Sequence, residues 1–442
     1  MFLEAGSVLY AAMSLTRDAT SALCFGELRL SDAARDVGTP CYVYDLDGIA
    51  DGARALDRAF AGAPHLVCYA IKANSAGAIV RAVAAEGCGV DVVSGAELIL
   101  AVSCGVSTER IVYSGVAKRD DELDLAIATG PRGIGAVQIE SLEEIARIEA
   151  RAREAGRRAR VSVRINPAID LREATHAHIA TGHDEAKFGV PLEDAADAVR
   201  VVGASAHLEL VGMGVHAGSQ FTSLDPYLHS ARVLFDLVRG LRSAGPLPSL
   251  AFIDTGGGFG VDYGEGLSVT PGDFVRAVRA EQAAHGLGDL ALYVEPGRSL
   301  VAAHGVLLAR VIQSKATSAA RWLMIDAGMN DLIRPALYQA RHRVVPLDLD
   351  AANVESVVWR VVGPVCESSD DFGEHLLPRL APEVVAILDA GAYGYTMASA
   401  YNGRPLPVEV FVRAGKVVAR TSRGAVAAWA AERAAAGGVA TP

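Results

Sequence analysis

The stretch HLVCYAIK, residues 65–72, is an apolar run of β-strand character that ends in a lysine. The pattern recurs seven times, and stretches of helical character separate the runs. The further runs, which end in polar side chains or glycine turns, are GVDVVS (89–94), RIVYSGV (110–116), AVQIES (136–141), RVSVRIN (160–166), LELVGMGVHAGS (208–219), SLAFIDTGGG (249–258) and LALYVEPGR (290–298). Eight strand-helix repeats in about 250 residues predict an α/β fold, a (β/α)8 barrel, whose active site lies at the carboxyl ends of its strands.

The pattern changes after about residue 300, where strand-length apolar or alternating segments follow one another with turns between them. These segments are VLLARVIQSK (306–315), RWLMIDAG (321–328), HRVVPLDL (342–349), VESVVWRVVG (354–363), EVVAILDAG (383–391) and VEVFVRAGKVVAR (408–420). They predict an all-β domain, and residues 25–46 predict a strand, a short helix and a strand before the barrel. The predicted domains are therefore a barrel over 47–300 and a β-domain over 22–46 plus 301–430.

Composition narrows the class of protein. The chain has 442 residues, of which 51% are hydrophobic, and a formal net charge of −11, which argues against nucleic acid or an anionic membrane as a partner. The six cysteines follow no disulfide or metal-site spacing and predict small core residues in a reducing compartment. The first 15 residues carry no basic segment, and no apolar run reaches membrane-spanning length. We expect a cytoplasmic enzyme without a signal peptide or a metal site.

Four groups of residues at the predicted strand ends carry chemistry. Lys72 follows an apolar strand at the barrel mouth, where a desolvated lysine is a nucleophile rather than a solvated surface charge. His216 lies beside Gly218 and Ser219 and could otherwise be a core histidine. The triplet Gly256–Gly258 could be a simple tight turn, yet at the end of the seventh strand its backbone N–H groups are placed to hold a phosphate. Glu295, Gly297 and Arg298 end the eighth strand in EPGR.

These parts together describe pyridoxal 5'-phosphate. That cofactor needs a lysine for its aldehyde, a flat side chain for its ring, a phosphate cradle and a carboxylate facing its pyridine nitrogen. Asp91, at the end of the second strand, could orient this network or simply cap its strand.

The chain resembles a known family at these residues. CYAIKANS (68–75), DVVSGAE (91–97), HAGSQ (216–220), the glycine triplet and EPGRSL (295–300) are similar to motifs of the alanine-racemase-like barrel decarboxylases of amino acids. Within that group, the β-domain resembles that of the diaminopimelate decarboxylases. The stretches that carry this likeness are AGMNDLIRPALY (327–338), GPVCESSDDFG (363–373) and DAGAYGYTMASAYNGRP (389–405).

The resemblance implies a role for each matching residue. Lys72 and Cys366 would be catalytic, the first attached to the cofactor and the second donating a proton. The implied cofactor-binding residues are Lys72, Asp91, His216, Ser219, Gly256, Gly257, Gly258, Glu295, Gly297, Arg298 and Tyr393. The implied substrate-binding residues are Arg298, Arg334, Tyr338, Glu367 and Tyr393. In this family the residues of the β-domain reach the site of the neighbouring subunit, so the resemblance also implies a homodimer with shared active sites.

The implied reaction is the decarboxylation of meso-2,6-diaminopimelate to L-lysine and CO2, the last step of lysine biosynthesis. Alternatives within the fold act on ornithine, arginine, carboxynorspermidine or a specialised-metabolite precursor. A racemase would have a cation opposite the pyridine nitrogen, whereas Glu295 is an acid. A non-catalytic cofactor-binding homologue would be expected to lack the β-domain or Cys366. Arg341, where the family usually has an aromatic residue, affects at most substrate preference.

Overall fold

The computed structural model describes residues 15–169, 187–349 and 355–435. Two compact units make up the chain. One contains residues 50–262 and 267–300, and the other contains residues up to 49, residues 263–266 and residues from 301 onward.

The chain begins in the second of these units, here called the β unit. Strands β1 (Leu15–Arg17), β2 (Leu23–Phe25) and β3 (Leu28–Arg29) form an antiparallel sheet. Helix α1 (Leu30–Val37), strand β4 (Cys41–Asp45) and helix α2 (Leu46–Ala59) follow. The strand, short helix and strand predicted over 25–46 are thus confirmed.

The other unit, here called the barrel unit, is a closed parallel barrel. Its strands are β5 (His65–Ala70), β6 (Gly89–Val92), β7 (Ile111–Tyr113), β8 (Ala136–Ile139), β9 (Ala159–Asn166), β11 (Leu208–Val215), β12 (Phe252–Asp254) and β13 (Ala291–Val294), with a short β10 (Val190–Pro191) beside β9. Neighbours in this order pair in parallel, and β13 pairs with β5 to close the ring. The eight predicted strands and the (β/α)8 fold are confirmed.

Helices follow the barrel strands in turn. They are α3 (Gly77–Ala85), α4 (Gly95–Ser103), α5 (Asp120–Ala128), α6 (Leu142–Glu154), α7 (Ala195–Ala204), α8 (Leu224–Ala244), α9 (Pro271–Ala284) and the single turn α10 (Arg298–Val301). Their starts are encoded locally, because the hydroxyls of Ser94, Ser141 and Thr270 accept hydrogen bonds from backbone N–H groups of the first helical turn.

The β unit continues after the barrel with β14 (Gly305–Ala316), β15 (Arg321–Ile325), helix α11 (Arg334–Tyr338), β16 (Val344–Pro346), β17 (Ser356–Val362), β18 (Asp371–Pro378), β19 (Val384–Ile387), β20 (Val408–Arg413), β21 (Lys416–Arg420) and helix α12 (Val426–Ala435). Strand β4 lies between β14 and β20, so the segment before the barrel completes a sheet made after it. The predicted all-β character of this domain is confirmed.

Buried aliphatic side chains hold the β unit together. Val43, Val306, Leu388 and Val410 belong to a cluster whose members are 4% exposed or less. Burial of such side chains contributes roughly 1.5–3 kcal/mol each. Five of the six cysteines are buried, as the sequence predicts, and only Cys366 is exposed.

Candidate functional site

Lys72 lies at the carboxyl end of β5, but not in the strand itself. The strand ends at Ala70, and Ile71–Ala73 form a single 3-10 turn that contains the lysine. The last strand residue, Ala70, still pairs with Asp91 of β6, and its N–H bonds to the carbonyl of Pro296, just beyond β13. Lys72 Nζ donates a hydrogen bond of 2.7 Å to Oδ2 of Asp91 in β6. Asp91 is fully buried, whereas the Lys72 side chain is 35% exposed. The lysine is therefore held by a buried carboxylate while part of its side chain remains accessible.

His216 follows β11 and presents a neutral ring. Its Nδ1 accepts a hydrogen bond of 3.2 Å from the N–H of Gly257, so the ring proton of the neutral form lies on Nε2. Burial, with further contributions from Arg164 and Lys72, lowers the pKa of His216 well below its usual value. The 3.6 Å approach of Nδ1 to Glu295 is therefore not an ion pair.

Glu295, directly after β13, is 5% exposed and belongs to a group of buried acids. Burial raises its pKa well above the usual range, and the charges of Asp254 and Asp91 raise it further. Burial also raises the pKa of Asp254, to about 6. The Glu295 side chain forms a hydrogen bond with Asp254, and Oε1 of Glu295 has no further partner within the part of the chain that the structure describes. A buried carboxyl of this kind ionises readily only when a cation is placed against it.

The glycine triplet after β12 lies against the backbone of its neighbours. Gly256 and Gly258 have φ angles of +70° and +93°, which favour glycine. A Cβ on Gly257 would lie 2.0 Å from the carbonyl oxygen of Glu295, and one on Gly258 would lie 2.3 Å from that of Gly218. The turn therefore excludes side chains, which is what close approach of a phosphate to a backbone requires.

Ser219 and Arg298 meet at the same end of the barrel. Nη2 of Arg298 donates to Oγ of Ser219 at 3.1 Å, and Arg298 is 7% exposed. Gly297 is packed so closely that a Cβ would lie 3.0 Å from Cβ of Ala73, next to Lys72. A hydroxyl and a guanidinium beside a glycine-lined turn form a suitable anion site.

The remaining predicted residues lie in the β unit. Arg334 begins α11 and is 5% exposed, and Tyr338 ends the same helix half-buried. The guanidinium carbon of Arg334 lies 4.9 Å from the ring centre of Tyr263. Tyr393 has a φ angle of +55°, an uncommon conformation for a residue other than glycine.

Cys366 and Glu367 lie on an exposed loop that polar contacts hold in place. The N–H of Cys366 donates to Oδ1 of Asn402 at 3.1 Å, and the Tyr401 hydroxyl donates to Oε1 of Glu367 at 2.6 Å. Asp370, which is 3% exposed, accepts from the N–H groups of Val365 and Met329, each at 2.6 Å. These bonds join the three stretches of sequence that carry the family resemblance of the β-domain.

Comparison with known proteins agrees with this geometry. The family described as "Pyridoxal-dependent decarboxylase, pyridoxal binding domain" matches residues 46–302. Diaminopimelate decarboxylase of Zymomonas mobilis is 40% identical over 399 residues, which cover 89% of this chain and 92% of that protein. The chain belongs to the diaminopimelate decarboxylase family.

Solved structures of the family have the same fold. The Helicobacter pylori diaminopimelate decarboxylase complexed with L-lysine superposes with a TM-score of 0.85 at 36% identity, over 92% of this chain and all of that one. The structure described as diaminopimelate decarboxylase from "m. jannaschi" has a TM-score of 0.87 at 32% identity, over 95% of this chain and 97% of that one.

The cofactor of this family is pyridoxal phosphate, and the end of the barrel fits it. Glu295 offers a buried carboxyl that has no hydrogen-bond partner besides Asp254 among the described residues, and the glycine turn near Ser219 packs so closely on neighbouring backbone that no Cβ fits there. Lys72 supplies the amine that the cofactor aldehyde requires.

The structure brings the predicted barrel residues together at one end of the barrel. These residues are Lys72, Asp91, His216, Ser219, Gly256, Gly257, Gly258, Glu295, Gly297 and Arg298. The other predicted residues, Arg334, Tyr338, Cys366, Glu367 and Tyr393, lie in the β unit. Their assigned roles remain predictions.

Sequence reasoning assigned no role to three side chains at the barrel end. Asp254 lies next to the glycine triplet, and its Oδ1 accepts from the N–H of Gly256 at 2.8 Å. Arg164 donates to Glu140 at 3.1 Å and to the carbonyl of His216 at 3.3 Å. The sequence contained a signal for Asp254, Arg164 and Glu140, since each lies at the polar end of an apolar run that forms a barrel strand.

One structural finding concerns membranes. Within residues 15–169, 187–349 and 355–435, no helix is both long enough and apolar enough to cross a bilayer.

Proposed function

We propose that this chain catalyses the pyridoxal-phosphate-dependent decarboxylation of meso-2,6-diaminopimelate to L-lysine and CO2, the last step of lysine biosynthesis. The observation that carries the proposal is the likeness, over about nine-tenths of both chains, to proteins named diaminopimelate decarboxylase. The lysine-carboxylate pair and the buried acid at the end of the barrel support it independently.

Within this proposal the barrel end holds the cofactor. Bound at Lys72, pyridoxal phosphate supplies an electron sink for the electron pair that a departing carboxylate leaves behind. Asp91 orients the lysine amine, and Glu295 places a carboxylate opposite the ring nitrogen. His216 offers a neutral ring for stacking. Ser219 and Arg298 bind the phosphate together with the backbone of the glycine turn and of Gly297.

The β unit supplies the substrate contacts. Arg334 and Tyr338, together with Arg298, bind the distal carboxylate, for which a guanidinium provides a bidentate partner. Glu367 accepts from the distal ammonium, and Tyr393 contacts both cofactor and substrate. Cys366 Sγ returns a proton to the reacting carbon. Its loop is exposed and fixed by Asn402, which is suitable for a group that must reach a substrate.

We further propose a homodimer, in the cytoplasm, in which Cys366 and Glu367 of each subunit act on the barrel of the other. The working domains are the barrel over 47–300 and the β-domain over 22–46 plus 301–430. Both loop residues are exposed rather than packed in the core of their own chain, and this exposure supports the arrangement.

Product analysis tests the function. Purified enzyme is incubated with meso-, L,L- and D,D-diaminopimelate, with L-lysine and with ornithine, and kcat/KM is measured for each. Lysine and ornithine have a single carboxylate, so placing it at the reacting centre would leave the arginines without a distal carboxylate in a closed site. We therefore expect a preference of at least ~10²-fold for the meso compound. Lys72→Ala is the inactive control. Comparable turnover of ornithine by the wild-type enzyme would refute the proposed substrate.

A further inference from the structure

The guanidinium of Arg334 is held by a histidine with a fixed tautomer. Nη1 of Arg334 and Nε2 of His342 are 2.8 Å apart, and Nδ1 of His342 is 2.8 Å from the carbonyl oxygen of Leu388. A carbonyl can only accept and a guanidinium can only donate. Nδ1 therefore carries the proton, and Nε2 presents its lone pair to the arginine.

An aromatic ring contacts the same guanidinium. The Tyr263 ring centre lies 4.9 Å from the guanidinium carbon of Arg334, and the ring meets that of His342 edge-on at 5.4 Å. Gly264 allows this approach, since its φ angle is +99° and a Cβ there would lie 2.8 Å from Cδ of Arg343. A cation against the face of a tyrosine is stabilised electrostatically.

The surroundings make this arrangement rigid. His342 is 2% exposed, and Arg334 is 5% exposed. The next residue, Arg343, pairs at 2.7 Å with Asp389, which follows Leu388. The segment that contains His342 and the segment that contains Leu388 are thus joined by an ion pair as well as by a hydrogen bond.

We propose that His342 and Tyr263 are positioning residues for substrate recognition. This inference rests on the proposed function, in which Arg334 binds the distal carboxylate. An arginine side chain has many rotamers, and restricting them before binding removes that entropic cost from substrate affinity. In this inference His342 acts on the substrate through Arg334, to which it is hydrogen-bonded.

Two substitutions separate the two hydrogen bonds of His342. His342→Asn places an amide N–H where Nδ1 donates to Leu388, but it does not reach Arg334. His342→Gln extends an amide oxygen toward the position of Nε2. We expect His342→Asn to raise KM for meso-diaminopimelate about 10-fold, the scale of one hydrogen bond to a charged group, with kcat within about 3-fold of wild type. His342→Gln should recover most of that loss.

Equilibrium binding of L-lysine provides a readout without turnover, because the product keeps the distal carboxylate and ammonium. Its Kd, measured by calorimetry, should rise by the same factor in His342→Asn. His229→Asn, on the exposed side of α8, is the matched control.

A double-mutant cycle with Arg334→Lys decides whether the effect passes through the arginine. In the Arg334→Lys background, His342→Asn should change the Kd for L-lysine by less than about 2-fold. Multiplicative effects, or an unchanged Kd in folded His342→Asn, would overturn the inference. If His342→Asn does not fold, Tyr263→Leu enters the same cycle with the same expectation. A wild-type enzyme that neither binds L-lysine nor decarboxylates diaminopimelate would instead refute the proposed function.

Discussion

Replacing Glu295 with glutamine keeps the size of a buried side chain but removes its capacity to carry a negative charge. The structure sets the magnitude of the effect. Apart from the hydrogen bond with Asp254, Oε1 of Glu295 has no partner among the described residues, and burial together with Asp254 and Asp91 raises the pKa of Glu295 well above the usual range. A cationic ring nitrogen would be the partner that allows this group to ionise. Losing a hydrogen bond to a charged group costs about 1.5–3 kcal/mol, so the Kd for pyridoxal phosphate should rise roughly 10- to 150-fold.

The assay is a titration of cofactor-free protein with pyridoxal phosphate, followed by visible absorbance. Glu209→Gln, at the start of β11, is a matched control in the same barrel and should bind like wild type. Asp254→Asn should act in the opposite direction to Glu295→Gln, because removing a neighbouring charge makes ionisation of Glu295 less costly. At saturating cofactor, Glu295→Gln should also lower kcat, since a ring nitrogen without a carboxylate partner is a weaker electron sink. A Kd and a kcat within 3-fold of wild type would refute this reasoning.

Three further predictions follow from the same structure. Borohydride reduction of the loaded enzyme should attach the cofactor to the peptide that contains Lys72, and a label on any other lysine would contradict the assignment. Cys366→Ala should lower kcat by about 10²–10⁴-fold with cofactor binding intact, and mixing it with inactive Lys72→Ala should restore activity through hybrid dimers. Confirmed subunit exchange without recovered activity would exclude shared sites. Glu409 is 4% exposed and has a pKa raised to about 7 by burial. The folded state therefore gains stability as pH falls from about 7 to 4.5, and Glu409→Gln should raise the free energy of unfolding by up to about 3 kcal/mol at pH 8 and by little at pH 4.5. Equal pH dependence in both proteins would refute this.

The barrel could be predicted from sequence because each strand is a short buried run with its own polar end. The positions of the strands depend on local pattern, and closure of the ring follows from their number. Lys72 is an example of a position that the local sequence pattern does not predict correctly. The run reads as continuous strand to residue 72, yet the strand ends at Ala70 and Lys72 lies in a 3-10 turn.

The β unit was harder to predict in detail. Asp370 joins the Cys366 loop to the segment around Met329 by hydrogen bonds, and neither stretch of sequence by itself indicates that the two are in contact. Tyr263 is a sharper case. It lies in sequence between two barrel strands, but it belongs to the β unit, where it packs on Arg334. A sequence divided into consecutive domains assigns that residue to the wrong unit.

The acids at the barrel end show what a family resemblance leaves out. A family resemblance identifies residues that contact a ligand, so it identified Glu295 and not Asp254. Asp91 pairs with Lys72, and Arg164 pairs with Glu140. Burial is the main cause of the raised pKa values of Asp254 and Glu295, and the charge of Asp91 raises both further. A ligand that brings its own positive charge relieves the cost of ionising these acids, and a neutral one does not. In the proposed arrangement, Asp254 thus makes ionisation of Glu295 more costly, and a cationic ring is the ligand that offsets this cost.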